Sequence, residues 1–481
     1  MKKILSILAA VTVLVSCNRP SNDNYVTSWH WEDGVITLDS PAMPEGQQTA
    51  IQLTADPIDT VHIGIVGLGM RGSDAVHRLP YVPGVQIVAL CDYDSARVEE
   101  AQAVLAEEHN RPRAAAYWGA EGYKQLCERE DVDLVYIATD WEHHFPVACY
   151  GMEHGKHVAI EVPSALNLNQ IWKLINLTEQ TRHHCVILEN CCYDWFEMNT
   201  LNMAQQGLFG EVLRAEGAYI HALDYYWNQY WYNPEGSDPD SLHWRLKYNM
   251  EHRGDIYATH GLGPVAQLMN IHRGDRFKTL VAMDTKSSHG RELVEAKTGQ
   301  PCENFRNGDH TTTLIRTELG KVIEIQHDVM NPQPYNRLYK LIGTKGYATK
   351  YPVEHYALNS GDLEQVGFKS NDDLSGHEFM SDEDQDALVA RFLNPILDEY
   401  GRKAKEVGGH GGMDFIMDCR LVYCLQNGLP MDVDVYDLAE WCCLGELGAL
   451  SMDHNSAPVA VPDFTRGHWN DVQGFRHAFA E

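Results

Sequence analysis

The chain is short of positive charge. It carries 38 Lys and Arg against 68 Asp and Glu, a formal net charge of −30. A balance this acidic excludes DNA, RNA and an anionic membrane surface as partners, because each would repel it. Its 12 cysteines include no C-x-x-C pair. The vicinal pairs Cys191–Cys192 and Cys442–Cys443 do not match zinc-ligand spacing, so no metal site is expected and most thiols read as small buried hydrophobes. The apolar stretch at residues 4–15 is too short to span a bilayer comfortably. There is no internal repeat, no low-complexity tract and no twin arginine ahead of that stretch. What remains fits a globular protein handling a neutral or cationic small molecule: 481 residues leave room for two or three domains, and 44% hydrophobic content supplies a core.

The N-terminus reads as a targeting segment. Lys2 and Lys3 precede the apolar stretch, which ends in Leu14-Val15-Ser16-Cys17. This resembles a bacterial lipoprotein signal over residues 1–17, with Cys17 lipidated (palmitate among its acyl chains) and becoming the mature N-terminus. The expectation is general secretory export and a lipid anchor in the cell membrane or outer membrane, on its periplasmic or surface face, with no other membrane contact. Residues 18–59 are polar and turn-rich and read as a tether and N-terminal arm.

At residue 61 the texture changes. The run VHIGIVGLGMRG is an apolar strand entering a Gly67-x-Gly69-x-x-Gly72 turn, and Asp92 closes a second strand twenty residues after Gly72. Gly67 makes the tight turn, Gly69 lets backbone approach a pyrophosphate, and Gly72 lets the next helix lie close on the sheet with its N-terminus toward phosphate. Asp92 would take the adenosine ribose hydroxyls, favouring NAD over NADP. Strands HIGIV, QIVAL, LVYIAT, HVAIEV and CVILEN alternate with helices around 97–107, 123–128 and 146–153. Such alternation builds a doubly wound parallel sheet over residues 60–190. Ligands bind outside the carboxyl ends of its strands, which selects Trp141, Glu142, His143 and His144, then Glu161 and Val162, then Asn190.

Residues 191–481 read differently. A helix near 198–206 is followed by VLRAEGAYIHAL, TTTLIRTEL, KVIEIQHDV and RLYKLIGTKGYATKY, which read as strands without intervening helices. The expectation is an α+β substrate domain on an open antiparallel sheet, with a long helix at 413–426. The aromatic stretch 225–232 (YYWNQYWY) is a candidate sugar platform or a rigid surface loop. Tyr257 and His260, spaced i, i+3, would share a face, and Gly261 and Gly263 would allow close approach of backbone or ligand.

GLGMRG, ALCDYD, IATDWEHHFPVA and HGKHVAIEVP together resemble the glucose–fructose oxidoreductase and inositol dehydrogenase family. More narrowly, LENCCYDWFE, NMAQQGLFGEV, HWR, RGDIYATHGLGPV, PYNRLYKLIGTKG and GGHGGMDF resemble glycoside hydrolase family 109, whose members are NAD-dependent and include α-N-acetylgalactosaminidases. The likeness runs from Val61 to about Gly467. It implies cofactor contacts at Met70, Arg71, Asp92, Trp141, Glu142, His143, His144, Glu161, Val162 and Asn190, with Tyr257, Ala258, Thr259 and His260 bordering the cofactor. It implies substrate contacts at Tyr219, Arg245, Tyr257 and Tyr335, with His260, Tyr257 and Tyr335 as catalytic candidates. Where the parent dehydrogenases carry Glu-Lys-Pro, this chain has Glu161-Val162-Pro163, and valine cannot take a proton from an alcohol.

The family chemistry implied is redox-neutral: bound NAD+ takes hydride from C3 of the sugar, C2–H becomes acidic, the aglycone leaves C1, water adds and hydride returns. The expected substrate is a terminal N-acetylgalactosamine of an α-linked glycan. The alternatives are an NAD-dependent sugar 3-oxidoreductase and a nucleotide-binding surface protein without turnover; homo-oligomerisation is left open. Replacing Cys17 by Ser should release the protein from the membrane fraction in detergent partitioning; a variant that stays membrane-bound would overturn the anchor.

Overall fold

The computed structural model describes residues 28–223 and 242–475; Cys17 and the aromatic stretch 225–232 lie outside the described residues. A short hairpin of β1 (Trp29–Glu32) and β2 (Val35–Leu38) comes first. A Rossmann-type sheet follows, of β3 (Val61–Val66), β4 (Val85–Asp92), β5 (Ala115–Trp118), β6 (Leu134–Ile137), β7 (His157–Ile160) and β8 (Cys185–Ile187). All neighbours are parallel, in the order β5-β4-β3-β6-β7-β8. The central strands β6 and β7 are buried at every position, because helices cover both faces. The order reverses at β3, which puts the ligand crevice beside the carboxyl ends of β3 and β6.

Side-chain caps fix where the helices begin. Asp94 accepts from Ala96 N ahead of Ser95–Glu107, and Asn167 accepts from Gln170 N ahead of Leu168–Thr181. The helix expected from residue 146 starts earlier, at Trp141–Glu153, because Asp140 accepts from the amides of Glu142 and His143; Pro146 lies inside it.

The second layer is a ten-stranded mixed, mostly antiparallel sheet. Its remaining strands are β9 (Val212–Ile220), β10 (Phe277–Asp284), β11 (Thr311–Thr317), β12 (Val322–Asp328), β13 (Lys340–Gly343), β14 (Gly346–Thr349), β15 (His355–Leu358) and β16 (Val459–Ala460). The order is β1-β2-β16-β10-β11-β12-β9-β13-β14-β15. Strand β11 alternates buried and outward positions after its first residues, as a sheet with one covered face should. The N-terminal arm is more than a tether: β1 and β2 form one edge of this sheet, and Ile36 N donates to Pro458 O.

The covering helix Thr259–Leu268 touches β9 backbone to backbone. A Cβ on Gly261 would fall 2.3 Å from Ala218 N, and one on Gly217 2.2 Å from Gly261 O. The chain also returns to the first sheet. Helix Met413–Asn427 is tied there by Arg78 Nε to Asp418 Oδ2 at 2.6 Å. Helix Val435–Cys442 is tied by Tyr436 OH to Glu179 at 2.8 Å. The first sheet ends with β8 and the second continues from β9, but β1 and β2 join the second sheet from the N-terminal side and the helices between 413 and 442 pack on the first one.

Gly261→Ala should lower stability by about 1–3 kcal/mol, the cost of overpacking a tight contact, while Gly361→Ala, with nothing within 4 Å of its added methyl, should be neutral or stabilising. Thermal melts of the two variants check this; equal melting temperatures would contradict the contact.

Candidate active site

The turn after β3 is shaped by exclusion. Gly67 sits at φ +90°, where a Cβ would meet Ala138 and Thr139 backbone at 2.6 Å, and a Cβ on Gly72 would lie 1.8 Å from Gly67 O. Above Gly69 the nearest atom to an added Cβ is Arg97 Nη1 at 3.6 Å, so this backbone is open. Gly69 caps helix Met70–Arg78 without any side-chain hydrogen bond, which leaves first-turn amides for a phosphate. Asp92 accepts from Leu68 N at 2.6 Å and Asp94 N at 2.9 Å, pinning the carboxylate beside the turn. These residues fit a dinucleotide: the glycines would cradle its pyrophosphate and Asp92 would take its ribose hydroxyls.

Arg71 is the clasp on this cradle. Its Nε and Nη2 donate to Glu161 Oε1 at 2.9 and 2.8 Å, and its Nη1 to Asp414 Oδ2 at 3.0 Å. Asp414 also accepts from Asn190 Nδ2 at 2.5 Å and lies 2.9 Å from His410 Nδ1. Burial raises the Asp414 carboxyl, but Arg71, His410 and Arg78 more than offset it and hold it well below the ordinary range. One network thus joins the turn after β3, the loop after β7, the end of β8 and the glycine loop 408–412.

Beside the clasp lies an aromatic and imidazole cluster. The Gly217–Gly261 contact brings Tyr219, Tyr257 and His260 together: ring centroids are 4.9 Å apart for Tyr219–Tyr257, 5.1 Å for Tyr219–His260 and 5.0 Å for Tyr257–His260. Tyr335 stands 6.2 Å from Tyr219 and 5.0 Å from His221, and it is half-exposed. Burial pushes the phenols of Tyr219 and Tyr257 up, so both hold their protons at neutral pH. Tyr219 OH is 2.9 Å from His221 Nδ1. Burial, together with His260, Arg245 and His410, pushes His221 down to about 4 and keeps it neutral.

In the segment HWR each residue has a task. His243 accepts from Arg245 N at the start of helix Trp244–Glu251, Trp244 sets its edge 4.9 Å from Trp141, and Arg245 lies over the rings of Trp244, Tyr257 and Trp141 at 5.0, 5.2 and 5.4 Å. Trp141 stacks on Tyr257 at 5.5 Å, which joins the first sheet's loop to the second domain's cluster.

The expected residues fall into groups. Gly67, Gly69, Gly72, Met70 and Asp92 line the cradle, with Met70 exposed. Arg71, Glu161 and Asn190 form the clasp. Tyr219, Arg245, Tyr257, His260 and Tyr335 form the cluster. Glu142 and His143 are exposed at a helix start, and the His143 ring is 2.8 Å from Asp140. His144 is enclosed, its Nδ1 2.8 Å from Pro163 O, so it braces the loop after β7. Val162, Ala258 and Thr259 are buried. Sequence reasoning passed over four neighbours. Glu189 lies 2.6 Å from His260 Nδ1, one residue before Asn190 on the same strand end. His221 follows β9, and His410 and Asp414 belong to GGHGGMDF; their signal was position at a strand end or within a motif otherwise unassigned.

A sequence model of the glycosyl hydrolase 109 C-terminal domain matches residues 193–471, and one of an oxidoreductase family's NAD-binding Rossmann fold matches residues 61–188. The chain belongs to glycosyl hydrolase family 109. Glycosyl hydrolase family 109 protein 4 of Phocaeicola vulgatus is 61% identical over 99% of this chain and 93% of its own. Family 109 protein 1 of Bacteroides thetaiotaomicron is 57% identical over 93% of each. Among solved structures, an NAD-binding oxidoreductase from Klebsiella pneumoniae superposes with TM-score 0.60 at 16% identity, covering 84% of this chain and 100% of that one. Levoglucosan dehydrogenase in complex with NADH gives 0.58 at 16%, covering 84% and 99%. This family 109 member is therefore a glycosidase built on an NAD-binding oxidoreductase fold, with NAD as its cofactor.

Asp414→Asn removes the anion between Arg71 and Arg78 without changing side-chain size. The variant should purify with clearly less NAD per chain than wild type while keeping its circular dichroism. Nucleotide released on denaturation measures this, and wild-type NAD content in the variant would refute the clasp.

Proposed function

We propose that the protein releases terminal N-acetylgalactosamine, or a close amino-sugar relative, from α-linked glycans by a redox-neutral route on bound NAD. The observation that carries this reading is the state of the carboxylates at the site. Most glycosidases need one protonated and one ionised carboxyl flanking the scissile bond, and NAD-dependent families are an exception. Here Glu161 is engaged by Arg71, Glu189 by His260, and Asp414 by Arg71, Asn190 and His410. Proton transfer falls instead to tyrosines and histidines, which suits chemistry at sugar hydroxyls and ring carbons. Val162 supports the same reading, since a buried valine replaces the lysine with which the related dehydrogenases deprotonate an alcohol.

Bound NAD supplies reversible hydride removal at C3, which acidifies C2–H. The chain's residues do the rest. His260 and Tyr257 move the C3 hydroxyl proton, and Arg245, fixed over three rings, holds a substrate oxygen. Tyr335 and His410, the more exposed members, serve C2–H abstraction and leaving-group protonation between them. Export with Cys17 as lipid anchor completes the proposal, supported by the charged and apolar segments ahead of it; a cycle that regenerates its own cofactor needs no outside electron acceptor.

Turnover in heavy water should place deuterium at C2 of the released sugar with no build-up of absorbance at 340 nm, and His260→Ala should slow it by about 10²–10⁴-fold. Stoichiometric NADH would instead favour the sugar 3-oxidoreductase. Sugar free of deuterium, with no isotope effect from C2-deuterated substrate, would refute the elimination route.

A further inference from the structure

We propose that Glu189 is a positioning residue that fixes the tautomer of His260, making Nε2 the atom that accepts a proton in the sugar site. This rests on the glycosidase reading above. Glu189 follows β8, its side chain is completely buried, and its Oε1 lies 2.6 Å from His260 Nδ1. The same oxygen accepts from Cys191 N at 3.2 Å, and the Thr259 hydroxyl lies beside the carboxylate. The helix bearing His260 presses directly on this side chain: a Cβ on Gly263 would fall 3.0 Å from Glu189 Cγ and 3.2 Å from Cys192 Sγ. Glycine here is what allows the approach.

A buried carboxylate persists only where donors surround it. Burial raises the Glu189 carboxyl, but its pairing with His260 and the hydrogen bond from Cys191 N bring it below its ordinary value. An ionised carboxylate has no proton to give, so the short contact requires His260 Nδ1 to be the donor. Nδ1 donates whether the ring is charged or neutral, and in the neutral ring this leaves the lone pair on Nε2. The other groups facing His260 are Tyr219, Tyr257 and His221, with Cys191 Sγ 3.4 Å from Nδ1 and Arg245 over Tyr257. Raised phenols and a buried thiol, itself pushed well up by burial, bring no second anion at neutral pH. Glu189 is thus the acidic partner that orients this ring, as in other carboxylate–imidazole pairs.

The test has an arm that does not need activity. In NAD-loaded wild type with nitrogen-15-labelled histidine, the His260 resonances, assigned by their absence in His260→Gln and followed with rising pH until the ring is neutral, should report the Nδ1–H tautomer; the Nε2–H tautomer would overturn the proposal even if the protein cleaves no glycoside. Glu189→Gln keeps the shape and removes the charge. It should lower kcat/KM by about 100-fold or more and move the acidic limb of the pH profile to lower pH, with NAD content unchanged. Glu189→Asp, which keeps the charge, should recover part of the lost rate. Wild-type kcat/KM and pH profile in Glu189→Gln would refute the role. An inactive wild type that still shows the Nδ1–H tautomer would refute the glycosidase reading and leave the Glu189–His260 pair standing.

Discussion

Everything in the cluster of Tyr219, Tyr257 and His260 depends on two backbones meeting without side chains between them. Gly217 on β9 and Gly261 on the helix above it sit so close that a methyl group on either would overlap the other chain. That contact sets the height of helix Thr259–Leu268 over the sheet. Tyr219 is two residues along the strand from one glycine, and His260 is one residue before the other. Their rings meet because the glycines do. Gly263 extends the same argument to the opposite side of the helix, where the Glu189 carboxylate is lodged.

The second constraint is electrostatic. The site holds several carboxylates and guanidinium groups away from water, and such groups are tolerated only when each has a partner of good geometry. Arg71 between Glu161 and Asp414, and Arg78 against Asp418, satisfy this while joining segments from opposite ends of the chain. The pairs are evidence of preorganisation more than of stability, since a buried ion pair gains little over a well-packed apolar substitute. Their value lies in fixed donors around the NAD site.

The first sheet was legible in the sequence because its signals are local. Strand, glycine turn and Asp92 fall within a few dozen residues, and apolar runs mark strands covered on both faces. In the second sheet the strand runs were visible but their turns were not: RLYKLIGTKGYATKY, read as one strand, turns after Gly343 and resolves into β13 and β14. What escaped was long-range. Nothing within residues 29–38 says that they pair beside β16, near the far end of the chain. Asp414 and His410 stood inside a quoted motif, but their partner Arg71 lies 343 and 339 positions away. Glu189 was missed for a different reason: the strand-end rule stopped at Asn190, and only the tertiary approach of His260 gives the preceding carboxylate its meaning. The early start of helix Trp141–Glu153 shows local chemistry outranking a weaker local cue, as the Asp140 cap prevailed over Pro146.

The span of the Arg71–Asp414 pair bears on how the holoprotein comes into being. The cradle residues are made early, yet the acid that fastens their arginine belongs to a helix near the end of the chain. A growing polypeptide can form the parallel sheet but cannot close the nucleotide site until residue 414 is available. Contacts of such high sequence separation are also slow to form. Closure of the nucleotide site is thus an event of the nearly finished chain, and a chain that stopped before residue 414 would lack both this fastening and the helix that packs on the first sheet.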